Sequence, residues 1–592
     1  MLLSLAAALA LLSPAQAAFL YPERSTAPIV VVWPPENFNM PPADNEFIFG
    51  SVSDPKGLFQ INGLTVVPYA NGAFLAWLPI QRGTFTFDLS LAVAGTTATF
   101  QRTIFAPSAP AAPPEGPAAI DADSLAPRQD LELRSGDWLT LRMRASAGQK
   151  ARYRLGKRPW QDLKESAPGV YEANVEVAQG EQLEPTAVEY ALGKGWSPLK
   201  AFSRSKVAFT SGLPSVAVAR SSTTLRAGPG NGYFAFPLAG TKLVTAGRLG
   251  GETKIRLSPD LFGWVKTADL DLLPPGTPAP RAVTGAINTA SSGDGALVRV
   301  SLTDRVAFVV DESDDRRALT LRLYNTVGHT NWIVYDSPDS LIEEVRWKQE
   351  ASDVVAITIR LKDATVWGWQ VSYEGASLKL EVRKAPDLAD APASALKGRT
   401  VILDPGHMPS ATGSTGPMGT TEMSANYAIA RAVEALLLKE GAYPVLTRNT
   451  TDQEVSLVER PRIAVEKKGD VFVSLHNNAL PDGENPFARP RGFSVFYYHP
   501  HSLSLARALY RSYQKNVPLP GEDLRYGDLL VARLSAMPAV LIESAYMIMP
   551  EQEEKLNDAS FRRTLAETVV SGLKDYFEDE RLRQRPAGRK NK

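Results

Sequence analysis

The 592-residue chain contains no cysteine. That absence excludes disulfides, thiolate nucleophiles, cysteine zinc sites and a lipidated N-terminal cysteine. An excess of either charge is missing too, with 64 Lys plus Arg against 64 Asp plus Glu. A balanced chain has no bulk attraction for a polyanion, so no nucleic-acid partner is expected. Histidine is scarce, at His329, His407, His476, His499 and His501 only. Long hydrophobic runs are lacking as well. The N-terminal stretch Met1–Leu12 is shorter than the ~20 residues a membrane span requires, and nothing later reaches that length. The mature protein is therefore expected to have no membrane span.

The N-terminal run continues through Pro14 into Ala15-Gln16-Ala17, which places small residues where signal peptidase cuts. Residues 1–17 read as a signal peptide, and the protein as exported: secreted, to the periplasm or to the cell wall. The basic segment that usually opens such a signal is missing, since no Lys or Arg precedes Arg24. With 44% apolar residues the chain can build real cores, and its length predicts three to five domains. A monomer is expected.

Residues 18–107 carry short apolar runs punctuated by Gly, Pro and Asn. Glu46-Phe-Ile-Phe-Gly50, Ile61-Asn-Gly63 and Gly72-Ala-Phe-Leu-Ala-Trp77 read as strands and tight turns. The segment resembles a small bacterial immunoglobulin-like sandwich. A Pro/Ala tract makes 108–124 a stiff linker. Residues 125–210 form a second strand-rich unit, in which Asp137-Trp-Leu-Thr-Leu-Arg-Met143 alternates with period two. Between 211 and 275, Thr224-Leu-Arg-Ala-Gly-Pro-Gly230 and Gly263-Trp-Val-Lys266 resemble a bacterial SH3-like domain, although such glycines make hairpin turns in any small barrel. Residues 284–386, with Val354–Leu361 and Val371–Val382 as strands around a Glu-Gly turn, resemble the AMIN sandwich that precedes amidases.

From 397 to 580 the pattern becomes α/β. Strands are predicted at Thr400–Leu403, Val445–Thr447, Val471–Leu475, Phe493–Tyr497 and Val540–Ile542, and helices over 423–440 and 560–576. Ser456 and Glu459 read as a capping box opening a further helix. Such alternation gathers ligands beyond the carboxyl ends of the strands. Residues 581–592 form a basic tail.

Two histidines directly follow buried strands: Asp404-Pro-Gly-His407 and His476-Asn-Asn-Ala479. Either alone reads as an ordinary core or loop histidine. Together, at equivalent strand ends, they suit a shared metal. A hydrolytic zinc takes three protein ligands and keeps a position for water. Without cysteine the third must be an oxygen or nitrogen donor. Glu422 is well placed, after the glycine-rich loop Gly413–Gly419, although a first-turn glutamate also complements a helix dipole. Glu543 closes the apolar strand Val540–Ile542, an unfavourable position for a carboxylate without a metal or proton-transfer task. His499 and His501 read as solvent-facing loop residues or as a substrate-side or second metal pair, and His329 is assigned nothing.

These residues carry a closer resemblance. Val401-Ile-Leu-Asp-Pro-Gly-His407, Thr421-Glu422 with Asn426, Leu446-Thr-Arg448, Arg460, Phe472-Val-Ser-Leu-His-Asn-Asn-Ala479, Arg491-Gly492 and Met537-Pro-Ala-Val-Leu-Ile-Glu543 resemble the zinc-dependent N-acetylmuramoyl-L-alanine amidases. The resemblance implies that His407, Glu422 and His476 bind zinc and that Glu543 is the catalytic carboxylate. It further implies peptidoglycan as partner and substrate, cut between N-acetylmuramic acid and L-alanine. Met408-Pro409 stands where the family has a glycine pair, Val465 where it has asparagine, and Asn477 where it has a small residue. None of these replaces a ligand. A zinc peptidase on stem peptides and a catalytically silent wall-binding scaffold are the alternatives. The fold class expected is a multidomain chain of small all-β modules followed by a C-terminal α/β zinc amidase domain. The upstream modules are expected to act as wall anchors, and 397–580 to fold alone. The interval Asn477–Arg491, rich in proline, can form only a short loop and no helix over the metal.

Overall fold

The computed structural model describes residues 25–107, 118–193, 197–210, 215–293, 295–336, 341–362, 365–388 and 394–584. The expected signal peptide, most of the Pro/Ala tract and residues 585–592 lie outside them. The chain divides into two compact units, Met1–Ala109 together with Pro386–Lys592, and Pro110–Ala385. Among the described residues no helix is long and apolar enough to cross a membrane.

The second unit is built of strands. Trp138–Ala145 alternates as its sequence predicts, with Leu139, Leu141 and Met143 inside. The expected linker is shorter than 108–124, because Ile120–Ala126 pairs with Trp138–Ala145. Leu125 enters the core there, and Ser124 Oγ accepts the Arg144 N–H. Leu131–Leu133 pairs with both Leu199–Phe209 and Lys242–Leu249, so the modules expected at 125–210 and 211–275 share a continuous sheet. Further on, two sheets enclose Ile287, Val298, Leu321, Ile357 and Leu380. The Glu-Gly turn forms with Gly375 at φ 59°.

In the first unit, residues 25–107 form two facing sheets. One comprises Ile29–Trp33, Asn45–Val52 and Ala73–Pro79. Ile48, Phe74, Ala76 and Leu78 point into the sandwich. Phe47, Phe49 and Leu75 point out of it and pack on Leu480, Tyr546, Ile548 and Met549 of the C-terminal domain. A sheet buried on both faces reads as continuous apolar text rather than alternation, as in Phe47-Ile-Phe49 and Phe74-Leu-Ala-Trp77. Residues 25–107 and the C-terminal domain thus share a core instead of standing apart as a module on a spacer.

Glu46 is fully buried at this contact, and its Oε2 accepts the Gly483 N–H at 2.9 Å. Burial, and then the charge of Asp482, push its carboxyl up to about 7. A carboxyl raised on folding stabilises fully below its unfolded value near 4.5, and that contribution is lost as pH climbs to about 7. The loss amounts to roughly 3 kcal/mol at 1.36 kcal/mol per unit. Urea unfolding at pH 5 and pH 7.5 should show a smaller decline for Glu46→Gln than for the native chain. Equal declines would remove Glu46 from the balance.

The C-terminal domain has a six-stranded sheet in the order Tyr443–Leu446, Thr400–Pro405, Val471–Asn478, Ala539–Tyr546, Phe493–Tyr497, Gly521–Tyr526. The first four strands are mutually parallel, and Phe493–Tyr497 runs antiparallel to Ala539–Tyr546. Helix Glu422–Lys439 buries Ile429, Val433 and Leu437 on the stripe its periodicity predicts. The last helix is longer than predicted, Ala559–Gln584, so the basic tail begins as helix: Arg581 pairs with Glu578, and Arg583 with Glu580. The capping-box pair forms, with Ser456 N–H donating to Glu459 Oε2 at 2.9 Å, but the helix itself opens only at Glu459. Leu480 to Gly492 contains no helix.

Candidate metal centre

Parallel pairing sets the site. Thr400–Pro405 lies beside Val471–Asn478, with Pro405 opposite Leu475, and the next strand puts Glu543 opposite His476. His476 and Glu543 lie within their strands rather than just past them, because the ladder continues through one irregularity to Asn478 and Tyr546. Beyond Pro405 the chain turns through His407, whose φ of 68° lies in the left-handed region. A non-glycine residue held there is disfavoured locally and persists where the surroundings fix it. Glu422 opens helix Glu422–Lys439 behind the N-cap Thr421, whose side chain accepts the Ser424 N–H.

Glu422 joins both imidazoles. Its Oε2 lies 2.9 Å from His407 Nε2, and its Oε1 lies 2.9 Å from His476 Nδ1. The rings stand edge to face with centroids 4.9 Å apart. One donor atom from each of the three residues falls within 4.8 Å of the others. Burial alone would raise the Glu422 carboxyl, but hydrogen bonds to His407 and His476 hold it well below the usual carboxylate range. Two imidazoles and an ionised carboxylate form a donor set suited to zinc, and among the described residues no fourth His, Asp or Glu joins the cluster.

Glu543 lies opposite His476 on the neighbouring strand. It is half-buried, yet its Oε2 is shielded from solvent and has no hydrogen-bond partner. Burial, and then the charge of Glu422, push its carboxyl well above the ordinary value, with Arg525 opposing. A carboxylate that is unpartnered, close to a donor triad and perturbed in this way suits proton transfer.

Residues 401–575 match the N-acetylmuramoyl-L-alanine amidase family. Curated relatives include the probable cell wall amidase LytH of Staphylococcus epidermidis, 36% identical over 31% of this chain and 60% of that one. LytH of Staphylococcus aureus is 34% identical over the same shares. The chain thus spans about 60% of the length of these relatives. Among solved structures, the N-acetylmuramoyl-L-alanine amidase AmiC2 of Nostoc punctiforme is 29% identical, covering 31% of this chain and 99% of its own at a TM-score of 0.29. The catalytic domain of CwlV from Bacillus (Paenibacillus) polymyxa var. colistinus is 28% identical, covering 30% and 98% at a TM-score of 0.28.

Within residues 401–575, the triad rests on a buried polar frame centred on Asp404, a residue to which the motifs assign no role. Asp404 is fully buried and accepts hydrogen bonds from Thr447 Oγ1 (2.5 Å), Ser474 Oγ (2.6 Å) and Arg460 Nη1 (2.6 Å). Arg460 Nη2 in turn donates to the His407 carbonyl at 2.6 Å. The Ser414 and Asn477 backbone N–H groups hold the two oxygens of Glu422. Glu553, also unanticipated, is buried and accepts the Met418 and Thr420 N–H groups of the loop feeding Glu422. The argument applied to Glu543, that a carboxylate among apolar residues needs a task, would have found Asp404 in Val-Ile-Leu-Asp. No sequence signal marks Glu553, whose partners lie over a hundred residues away.

Two glycines are required sterically. A Cβ at Gly406 would come within 2.3 Å of the His476 ring. One at Gly413 would lie 2.4 Å from Glu422 Oε2 and 2.7 Å from the His407 ring, at a φ of +75°. Gly413→Ala should therefore lose metal binding and cost at least ~1 kcal/mol of stability. Metal content and thermal unfolding measure both, and an alanine variant with native metal affinity would contradict this packing.

Among the described residues, the remaining histidines do not join the donor cluster. His499 and His501 are buried, not solvent-facing, with Nε2 atoms 2.9 Å from the Arg533 carbonyl and 3.2 Å from the Met537 carbonyl. Their rings stack 5.2 Å apart. His329 belongs to the other unit, where its backbone N–H donates to Thr284 Oγ1.

Proposed function

We propose that this protein is an exported zinc amidase that hydrolyses the bond between N-acetylmuramic acid and the L-alanine of the peptidoglycan stem peptide. The observation that carries this reading is the convergence of His407, Glu422 and His476 beside the unpartnered carboxylate of Glu543. The family match over 401–575 supports the choice of bond.

His407, Glu422 and His476 would hold the zinc. When bound, that dication supplies Lewis acidity toward a carbonyl, lowers the pKa of water and offsets the charge of Glu422. Glu543 takes a proton from the attacking water as its oxygen bonds to the lactyl carbonyl carbon. The same carboxyl then passes that proton to the alanine nitrogen as the C–N bond breaks, leaving a free acid and a free amine. Arg460 fixes the His407 backbone, and Ser414 and Asn477 fix the Glu422 carboxylate, so the donors are oriented before any ligand arrives.

Upstream, the sandwich and barrel modules read as immunoglobulin-like, SH3-like and AMIN-like, with the last two engaging the wall. Product analysis of digested peptidoglycan tests the assignment. Stem peptides with free alanine amino termini are the expected product. Smaller peptide fragments would show a peptidase instead, and an unchanged digest a silent scaffold.

A further inference from the structure

We propose that the N-terminal sandwich, residues 25–107, is a fixed positioning element of the catalytic unit, holding the ends of the His476 and Glu543 strands, and is not a tethered wall-binding module. The proposal rests on the amidase reading above for the reaction it serves.

The contact has the composition of a core. Phe47, Phe49 and Leu75, with partly buried Val32, Trp33 and Trp77, cover Leu480, Tyr546, Ile548 and Met549. Six such side chains on the outer face of an independent sandwich would leave a large apolar patch in water, which soluble domains avoid. A buried polar contact fixes the register: the Gly483 N–H donates to Glu46 Oε2 at 2.9 Å.

What this face covers is the continuation of the two strands that bear the chemistry. Leu480 follows the His476 strand, and Tyr546 ends the Glu543 strand. The two ends are tied together, since Asn478 pairs with Tyr546 and the Met547 N–H donates to the Asn478 carbonyl. Met549 is also the N-cap of helix Pro550–Asn557. That helix carries Gln552, which bonds the Tyr546 N–H and the Arg491 carbonyl, and Glu553, which grips Met418 and Thr420 just before Glu422. Contiguous packed and hydrogen-bonded groups therefore run from Phe49 and Leu75 to the loop that feeds Glu422. A continuous chain of this kind establishes coupling only when a perturbation at one end is felt at the other.

The test uses the full chain. Phe49→Ala lies outside the sandwich core and removes contact area, and Phe49→Leu serves as its conservative counterpart. An Ala43→Cys/Gly483→Cys pair supplies a lock, because a Cβ at 483 would lie 3.0 Å from the Ala43 Cβ; its reduced form is the control for the left-handed backbone at 483, φ +76°. That separation is within a small adjustment of disulfide reach, and no native cysteine competes. Hydrogen exchange over 479–491 and 546–549 reads docking, chelator competition reads zinc affinity, and turnover of a small soluble muropeptide reads positioning.

Phe49→Ala is expected to lose protection in both segments, to bind zinc about tenfold more weakly and to lose at least tenfold in kcat with little change in KM. Phe49→Leu should recover most of each loss, and the disulfide should restore them in the Phe49→Ala background. Native zinc affinity and kcat in a Phe49→Ala variant that has lost protection would overturn the proposal. So would faster turnover on undocking combined with silence when locked, which would make the sandwich an inhibitory lid. A native protein that hydrolyses no amide would refute the amidase reading alone, and the zinc-affinity comparison would still decide the positioning role.

Discussion

Glu543→Gln should lower hydrolysis by ~10²-fold or more while leaving metal content unchanged. General acid–base groups contribute on that order when they are within reach of the moving proton. The glutamine is nearly isosteric and cannot accept a proton from water. Glu543 touches none of the three donor residues through a hydrogen bond, and its shielded Oε2 has no partner to lose. The substitution replaces a carboxyl that burial and the neighbouring Glu422 already disfavour as an anion, so thermal unfolding of the metal-free variant should occur no lower than that of the native chain. The two readouts separate the roles. A variant that keeps its metal and its fold but turns over at a near-native rate would take Glu543 out of the mechanism, whereas loss of metal would make it a ligand.

The candidate centre was legible because its chemistry is written locally. His407 and His476 each follow an apolar run of sequence, and Glu422 opens a helix that buries Ile429, Val433 and Leu437 on one stripe. Parallel strands with short periodic text leave few ways to arrange such a sheet. What the sequence hid was set by partners distant in the chain. Glu553 meets Met418 and Thr420 across more than a hundred residues. His499 and His501 sit in a polar-looking Tyr-Tyr-His-Pro-His segment, yet they are buried because Arg533 and Met537 supply carbonyls from another segment.

The outer face of the N-terminal sandwich was not legible from its own segment. Phe47-Ile-Phe49 reads as a strand of a small sandwich, and its lack of alternation signals burial on both faces. The second face belongs to residues more than four hundred positions later, which periodicity cannot identify. The same limit explains the linker, where Ile120–Asp123 is too polar to read as a strand and is held by pairing with Trp138–Ala145.

His407→Ala and His476→Ala should each abolish metal binding as well as turnover. Each removes a donor atom from a set of three, so the loss of affinity should exceed the 10–100-fold that removal of an outer supporting partner typically brings. Chelation of the native chain should likewise abolish hydrolysis, and added zinc should restore it, which neither histidine variant should allow. Thermal unfolding supplies a reading independent of catalysis. A ligand that binds only the folded state stabilises it by about 4 kcal/mol at a thousand times its Kd, so zinc should raise the unfolding temperature of the native chain and of Glu543→Gln but not of either histidine variant. The left-handed backbone at residue 407 adds a further distinction. Asparagine tolerates that conformation better than alanine does, so His407→Asn should be the more stable of the two metal-free variants while remaining equally inert. Hydrolysis that survives thorough chelation with no metal detected, or a His407→Ala protein that still gains stability from zinc, would rule out a centre built on His407, Glu422 and His476.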